Sequence, residues 1–316
     1  MYAGVSANKA ITAEYHYLSM KLSNTNHPFV SIIVPVFNDY DRLLICLQHL
    51  QHQSYPQENY EIIVVDNGSI DPVRNYPLPG HAILLEEPQI GSYAARNKGL
   101  ATARGEIIAF TDSDCQPAHD WVERGVERLL STPNCGLIGG QIKVFPQNPA
   151  KLTISEFYEC LAAFPQARYV QDIHFSAGAN TFTFRHVIDR VGNFLQDLKS
   201  GGDAEWGNRV YDHGYDLVYA EDVIVRHPAR RSLRELWAKE VRRAGGLYDK
   251  NLPQQPTLRE LVQGLMPPLF AVRRVLPGYQ PLTLKENISI VFVLVFLKYA
   301  GGWETLRLRL GASSRR

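Results

Sequence analysis

Four cysteines in 316 residues, Cys46, Cys115, Cys135 and Cys160, are too few for a disulfide-built scaffold. None lies in a CxxC pair, which excludes a zinc ribbon and a thioredoxin-like motif. They read as reduced thiols of a cytosolic protein. The opening MYAGVSANKAITAEYHYLSM has no apolar h-region, so no signal peptide is expected. The first apolar run is followed by FNDYDR rather than GxGxxG, which argues against a dehydrogenase and sets a nucleotidyltransferase well behind. Neither an internal repeat nor a low-complexity tract is found. A membrane span needs about 20 apolar residues, and the uncharged run Asn287–Leu297 has only 11, so a bilayer crossing is not expected.

What is present is ordinary for a soluble chain with a sizeable core: 45 % apolar and 21 % charged residues. Disorder over most of the length is thereby excluded. The net charge of +1 conceals an asymmetry, because residues 1–227 carry −9 and residues 228–316 carry +10. An acidic body suits cation-assisted chemistry, and a basic tail suits an anionic partner.

Residues 1–28 are polar and aperiodic and read as a flexible leader. FVSIIVPVF (29–37), EIIVVD (61–66), HAILLEE (81–87) and EIIAFTD (106–112) read as strands, the β-branched runs as buried on both faces. Leu43, Leu44, Leu47 and Leu50 recur at helical spacing, SYAARNKGLATA reads as a helix, and Trp121, Val122, Val126, Leu129 and Leu130 mark another. LIGGQIKVF (137–145) is a fifth strand. Further on, 152–162 and 203–214 read as helices, 179–185 and 216–227 as strands, and Ser232 opens a helix to about Tyr248. The alternation implies βαβ units and a mostly parallel mixed sheet flanked by helices, with a C-terminal helical extension.

Ligands of such sheets sit at the carboxyl ends of the strands. Asn38 and Asp39, Asp66 and Asn67, Glu86 and Glu87, and Asp112 and Asp114 all fall there. In TDSDC (111–115) two carboxylates at i and i+2 can face one ion or diphosphate. Hard oxygen ligands suit Mg²⁺ or Mn²⁺, with a diphosphate filling further positions. An acidic pair in a solvated turn is the alternative reading.

VSIIVPVFND, then IIVVDNGSIDP, then GSYAARNKGL and FTDSDC form an ordered set. Together they resemble the family 2 glycosyltransferases, over about Phe29 to Gly246. The resemblance implies a GT-A fold and an inverting hexosyltransferase-type enzyme that uses nucleotide-diphosphate sugars, a UDP-sugar favoured, with Mn²⁺ or Mg²⁺. It places Pro35, Phe37 and Asn38 in the nucleotide pocket and Asp66 on the base, with Asn67, Gly68 and Ser69 shaping the loop. Arg96 and Asn97 would approach the sugar-nucleotide. Asp112 and Ser113 would bind it too, Asp112 on the ribose or the metal, and Asp114 would hold the metal. A surface cation is the alternative for Arg96, and a turn-forming Asp before Asn-Gly the alternative for Asp66.

SGGDAEWGNRV (200–210) resembles the family's acceptor segment, in which an Asp at a helix start is the general base. Asp203 takes that place, and a helix N-cap is its other reading. Gly201 and Gly202 would let backbone approach the acceptor. Many relatives carry Glu-Asp where this chain has Gly202-Asp203, and Glu205 would supply some of the missing charge. Trp206 either stacks on the acceptor sugar or anchors the core. His227 stands where the family often places a third metal ligand. Arg230 and Arg231 would neutralise the diphosphate, or form a solvated basic helix face.

The domains implied are a leader (1–28), a glycosyltransferase domain (29–250) with nucleotide-sugar (29–145) and acceptor (146–250) halves, and a basic, apolar tail (251–316). The tail, with PPLFAVRRVLP (267–277), Lys285, Lys298 and Trp303, fits an anchor on an anionic membrane surface. A buried helix or a dimer contact is the alternative. The expectation is a cytoplasmic protein, peripheral at the inner membrane face, making polysaccharide or cell-envelope glycan on a glycan or lipid-linked acceptor, with no nucleic-acid partner. A non-catalytic nucleotide-sugar-binding protein is the remaining alternative.

Overall fold

A computed structural model describes residues 27–250 and 282–315. All but the last two residues of the expected leader, and the PPLFAVRRVLP patch, lie outside the described residues.

The β-branched runs form the strands read from them. β1 (Val30–Val36) and β2 (Tyr60–Asp66) are buried at every position, as expected of strands covered on both faces. β3 (Ala82–Glu86) and β4 (Ile107–Phe110) complete a parallel half-sheet. α1 (Tyr40–Gln51) buries Leu43, Cys46, Leu47 and Leu50, and α2 (Ser92–Thr102) and α3 (Trp121–Ser131) also flank the sheet. After the two-residue β5 (Gln116–Pro117) the long β6 (Cys135–Phe145) follows. Then come α4 (Ile154–Ala162), α5 (Gln166–Ile173), β7 (Thr181–Phe184), α6 (Arg185–Val191), α7 (Gly202–Asp212), β8 (Asp216–Pro228) and α8 (Leu233–Lys250). A 26-residue helix α9 (Leu284–Arg309) ends the described chain.

The eight strands run in the order β3-β2-β1-β4-β7-β6-β8-β5. β3, β2, β1 and β4 pair in parallel; β7 pairs antiparallel with both β4 and β6, and β5 antiparallel with β8. The Asp216 N–H donates to the Asn134 carbonyl and the Ala229 N–H to the Phe145 carbonyl, so β8 runs alongside β6 in the same direction. The sheet is thus mixed and mostly parallel, with β7 and β5 antiparallel to their neighbours. Register places Val36 beside Asp66 and Asp66 beside Glu86, so the loops leaving β1, β2 and β3 emerge at one edge.

The chain divides into two compact units. Pro165–Asp197 and Gly202–His227 belong with the residues up to Lys143, while Val144–Phe164, Leu198–Gly201 and Pro228–Arg316 form the second unit. The first unit's core holds Trp121, Phe110, Phe182, Phe184 and Trp206, all nearly inaccessible. Each large apolar side chain buried this way contributes about 1.5–3 kcal/mol, and the Trp121 indole N–H is satisfied by Asn180 Oδ1 at 2.9 Å.

In the second unit α9 packs on α8 and α4. Its start is fixed by a capping box. The Glu286 N–H donates to Thr283 Oγ1, and the Thr283 N–H donates to the Glu286 carboxylate, which is worth about 1 kcal/mol. Among the described residues, α9 alone is long and apolar enough to cross a bilayer, with a mean hydropathy of 1.4 over its most apolar 18-residue window. The uncharged run is shorter than the helix that contains it. Helix length, not that run, sets the span it could reach.

Candidate active site

The loops after β1 and β2 are fastened together. Asn38, in the left-handed region at φ 51°, receives a hydrogen bond from the Ile70 N–H (2.8 Å) on its side-chain oxygen, and its own N–H donates to Ser69 Oγ (2.9 Å). Asp66 is buried, and its two carboxylate oxygens accept the N–H groups of Ser69 (3.0 Å) and Val73 (2.8 Å). The side chain therefore organises its own loop, as the turn-forming reading expected. Asn67 is buried as well. It donates to the Glu87 and Gln89 carbonyls and accepts the Gly91 N–H, tying the β2 and β3 ends to the start of α2. Gly68 takes φ 76°, Pro35 is buried in β1, and Phe37 is half exposed at the sheet edge.

Arg96, on α2, is the pivot of the site. Its side chain is 4 % exposed, and its guanidinium lies 2.7 Å from Asp112 Oδ1 and 3.4 Å from Asp203 Oδ1. The surface-cation reading of Arg96 does not hold, because the guanidinium is buried and engaged by both carboxylates. Burial alone would lower its pKa, but Asp203 and Asp112 hold it charged, above its ordinary value. The guanidinium passes under Gly178, where an added Cβ would stand 2.5 Å from Nη2. Asn97 points elsewhere: it donates to the Phe194 carbonyl and accepts the Phe194 N–H, holding that loop.

Asp203 lies in the first turn of α7, and its second oxygen accepts the Gly178 N–H at 3.2 Å. It is thus held by Gly178 and Arg96, partners from elsewhere in the chain, and remains 23 % exposed. Burial pushes its carboxyl above the ordinary aspartate value, while Arg96 and the Gly178 N–H pull it back. Gly202 is needed here for a steric reason, since a Cβ would meet the Tyr93 ring at 2.7 Å. Glu205 is occupied by Arg209 at 2.5 Å. Trp206 is 2 % exposed, donates to the Gly192 carbonyl and packs on Phe194. Of its two readings the core anchor is the one its burial fits, and an acceptor sugar has no ring face to reach.

Next to Asp112, Ser113 is buried and Asp114 turns to a second group. His227 Nε2, on β8, lies 3.5 Å from Asp114 Oδ2, and Arg42 Nη1 lies 3.7 Å from the same oxygen. Burial raises the Asp114 pKa, His227 lowers it, and Asp112 raises it again. Cys115, which sequence reasoning passed over although it adjoins the acidic pair, brings its Sγ to 3.8 Å from Asp114 Oδ1. One donor atom each from Asp114, Cys115 and His227 lies within 4.8 Å of the others. Carboxylate, imidazole and thiol at these separations fit a divalent cation.

The first unit therefore brings Asp112, Asp114, Asp203, Arg96 and His227 together from four stretches of sequence. Gly201 belongs to the second unit, with φ 79°. Arg230 and Arg231 are there too, where Arg230 pairs with the buried Glu159 at 3.0 Å and Arg231 approaches Glu156 at 3.9 Å. The second unit also holds a cavity of about 360 Å³, lined by Trp237 of α8 and by Phe292, Phe296, Tyr299 and Trp303 of α9.

Acidic side chains thus gather at the ends of the parallel strands of a mixed α/β sheet. Residues 31–192 match the family described as "Glycosyl transferase family 2", and the chain belongs to that family. It is a glycosyltransferase. It is 38% identical to "Glycosyltransferase AglE" of Haloferax volcanii, over 68% of this chain and 71% of that one. A Methanococcus voltae relative is 23% identical over 66% of this chain and 69% of its own. It is named "Dolichyl N-acetyl-alpha-D-glucosaminyl phosphate 3-beta-D-2,3-diacetamido-2,3-dideoxy-beta-D-glucuronosyltransferase". Among solved structures, a Pyrobaculum calidifontis mannosyltransferase in complex with GDP-Man and Mn²⁺ has a TM-score of 0.53 at 20% identity, covering 98% of this chain and 87% of that one. That likeness supports the GT-A fold.

Proposed function

We propose that this protein is an inverting, divalent-cation-dependent glycosyltransferase. It would move a sugar from a nucleotide-diphosphate sugar to a hydroxyl of a glycan or lipid-linked acceptor in polysaccharide or cell-envelope glycan synthesis. The observation that carries the reading is the convergence of Asp112 and Asp203 on one buried arginine, beside the Asp114–His227 pair.

An acceptor hydroxyl is a poor nucleophile until it loses its proton, so the reaction needs a base. Asp203 is the candidate, since part of its carboxylate is exposed and Arg96 and the Gly178 N–H fix its orientation. Arg96 acts through Asp203 and Asp112 as a positioning residue. Asp114 and His227 would hold the cation, which when bound supplies positive charge to the departing diphosphate. The loops of Asn38, Asp66 and Ser69 form a braced edge for the nucleotide, with Phe37 exposed there.

The Methanococcus voltae relative takes a dolichyl-phosphate-linked N-acetylglucosamine, and the Pyrobaculum calidifontis structure of the same fold holds GDP-Man and Mn²⁺. A UDP-sugar remains the favoured donor from the motif set. The basic tail and the exposed aromatics of α9 support peripheral contact with an anionic membrane surface.

Thermal unfolding with UDP, GDP, CDP and dTDP, with and without Mn²⁺, tests the donor side. The true nucleotide at 100 times its Kd adds about 2.7 kcal/mol, and only with the cation. If no nucleotide shifts the transition, the reading fails.

A further inference from the structure

The chain turns sharply after β4. The Cys115 N–H donates to the Asp112 carbonyl at 3.0 Å, and this turn sends the Cys115 side chain inward, where it is fully buried. Its Sγ stops 3.8 Å from Asp114 Oδ1, while His227 Nε2 stands 3.5 Å from Oδ2 of the same carboxylate. Donor atoms around a four-coordinate cation with bonds of about 2.0–2.3 Å are roughly 3.3–3.8 Å apart. The two spacings run to different oxygens of the one carboxylate, and a donor atom from each of the three residues lies within 4.8 Å of the others, near enough for a single cation to draw them in; they come from β8 and from the loop between β4 and β5.

We propose that Cys115 is a ligand of the cation held by Asp114 and His227. The site would then favour borderline divalent ions such as Co²⁺ or Zn²⁺ over Mg²⁺. This rests on the cation-dependent reading above. A thiol contributes nothing to a Mg²⁺ site, because that ion keeps oxygen ligands and its own waters. Sulfur with imidazole and carboxylate makes a softer set that discriminates against it. On binding, the thiol proton passes to solvent and the sulfur lone pair is donated to the cation, with no change of oxidation state. Cys46 is the matched control: it is equally buried, but its Sγ donates to the Asp112 backbone carbonyl at 3.6 Å.

The test is a Co²⁺ titration of the full chain followed by near-ultraviolet and visible absorption. A sulfur-to-cobalt charge-transfer band is expected to grow to saturation in the wild type and in Cys46→Ser. In Cys115→Ser the band should be absent and Co²⁺ affinity about 10-fold or more weaker. Circular dichroism establishes that this variant is folded, and the wild-type band answers the question even if it is not. If Co²⁺ binds the wild type without the band, and Asp114→Asn abolishes that binding, the sulfur ligand is overturned while the cation site stands. A band that persists in Cys115→Ser overturns it equally. No Co²⁺ binding by the wild type, with or without GDP or UDP, overturns both.

Discussion

Arg96 and Asp203, 107 residues apart in the chain, form an ion pair at 3.4 Å with the guanidinium almost wholly buried. The same guanidinium holds Asp112 at 2.7 Å. One side chain on α2 thus joins the carboxylate after β4 to the carboxylate that opens α7. Removing either side of such a linkage leaves the other charge without its partner, which is where the energetic cost lies.

Arg96→Met therefore tests the linkage directly. Both carboxylates are partly exposed, so the loss should be about 1–3 kcal/mol rather than that of a fully buried pair. Denaturant unfolding measures it. A variant as stable as the wild type, with transfer intact, would show that the bridge does not matter.

Gly178→Ala approaches the same guanidinium sterically. The new Cβ would stand 2.5 Å from Nη2 and 2.6 Å from Cζ. Overpacking of this kind costs about 1–3 kcal/mol, and the displaced Arg96 should lose its hold on Asp203. Transfer rate should fall more than nucleotide affinity. Equal losses would mean that the residue serves only packing.

Asp203→Asn should lower the transfer rate by about 10²–10⁴ and leave the nucleotide-induced thermal shift nearly intact. Loss of nucleotide binding to the same degree would make the residue structural.

The pH dependence follows from the direction of the Asp203 shift, which is upward with burial as its main cause. The folded chain holds this proton to higher pH than the unfolded chain. The contribution to stability is full below the unfolded value, about 4, and is lost as pH rises through the folded one. Asp203→Asn should remove that part of the slope, read from denaturant midpoints at pH 4, 5, 6 and 7. The transfer rate should lose activity on the acid side at a pH above the ordinary aspartate range, because a base must be deprotonated. Parallel stability curves for wild type and variant would refute the shift.

Phe292, Tyr299 and Trp303 are 51 %, 42 % and 62 % exposed on α9. If they meet a lipid surface, Phe292→Ser and Trp303→Ser should each weaken partition to anionic vesicles by about 1 kcal/mol, roughly fivefold. Raised salt should weaken it further. Flotation measures both. No flotation of the wild type at low salt would end the membrane reading.

The sequence alone determined most of the strands and helices, though not β5, α5 or α6, and also the sheet edge that bears the acidic side chains, and the family. β-branched runs and helical spacing are local properties, and the motifs TDSDC, ARNKG and GGDAEW are contiguous. It did not decide which strands run antiparallel, because pairing partners come from distant segments. Nor did it decide what each site residue touches. Arg96 reads as an exposed helix cation until α7 and the Gly178 loop close over it. Trp206 reads equally as a sugar platform until its indole is buried against Phe194, and Cys115 as an inert thiol until β8 brings His227 to Asp114. Those facts belong to long-range packing, in which the partner of a charge is chosen by which elements the core forces together.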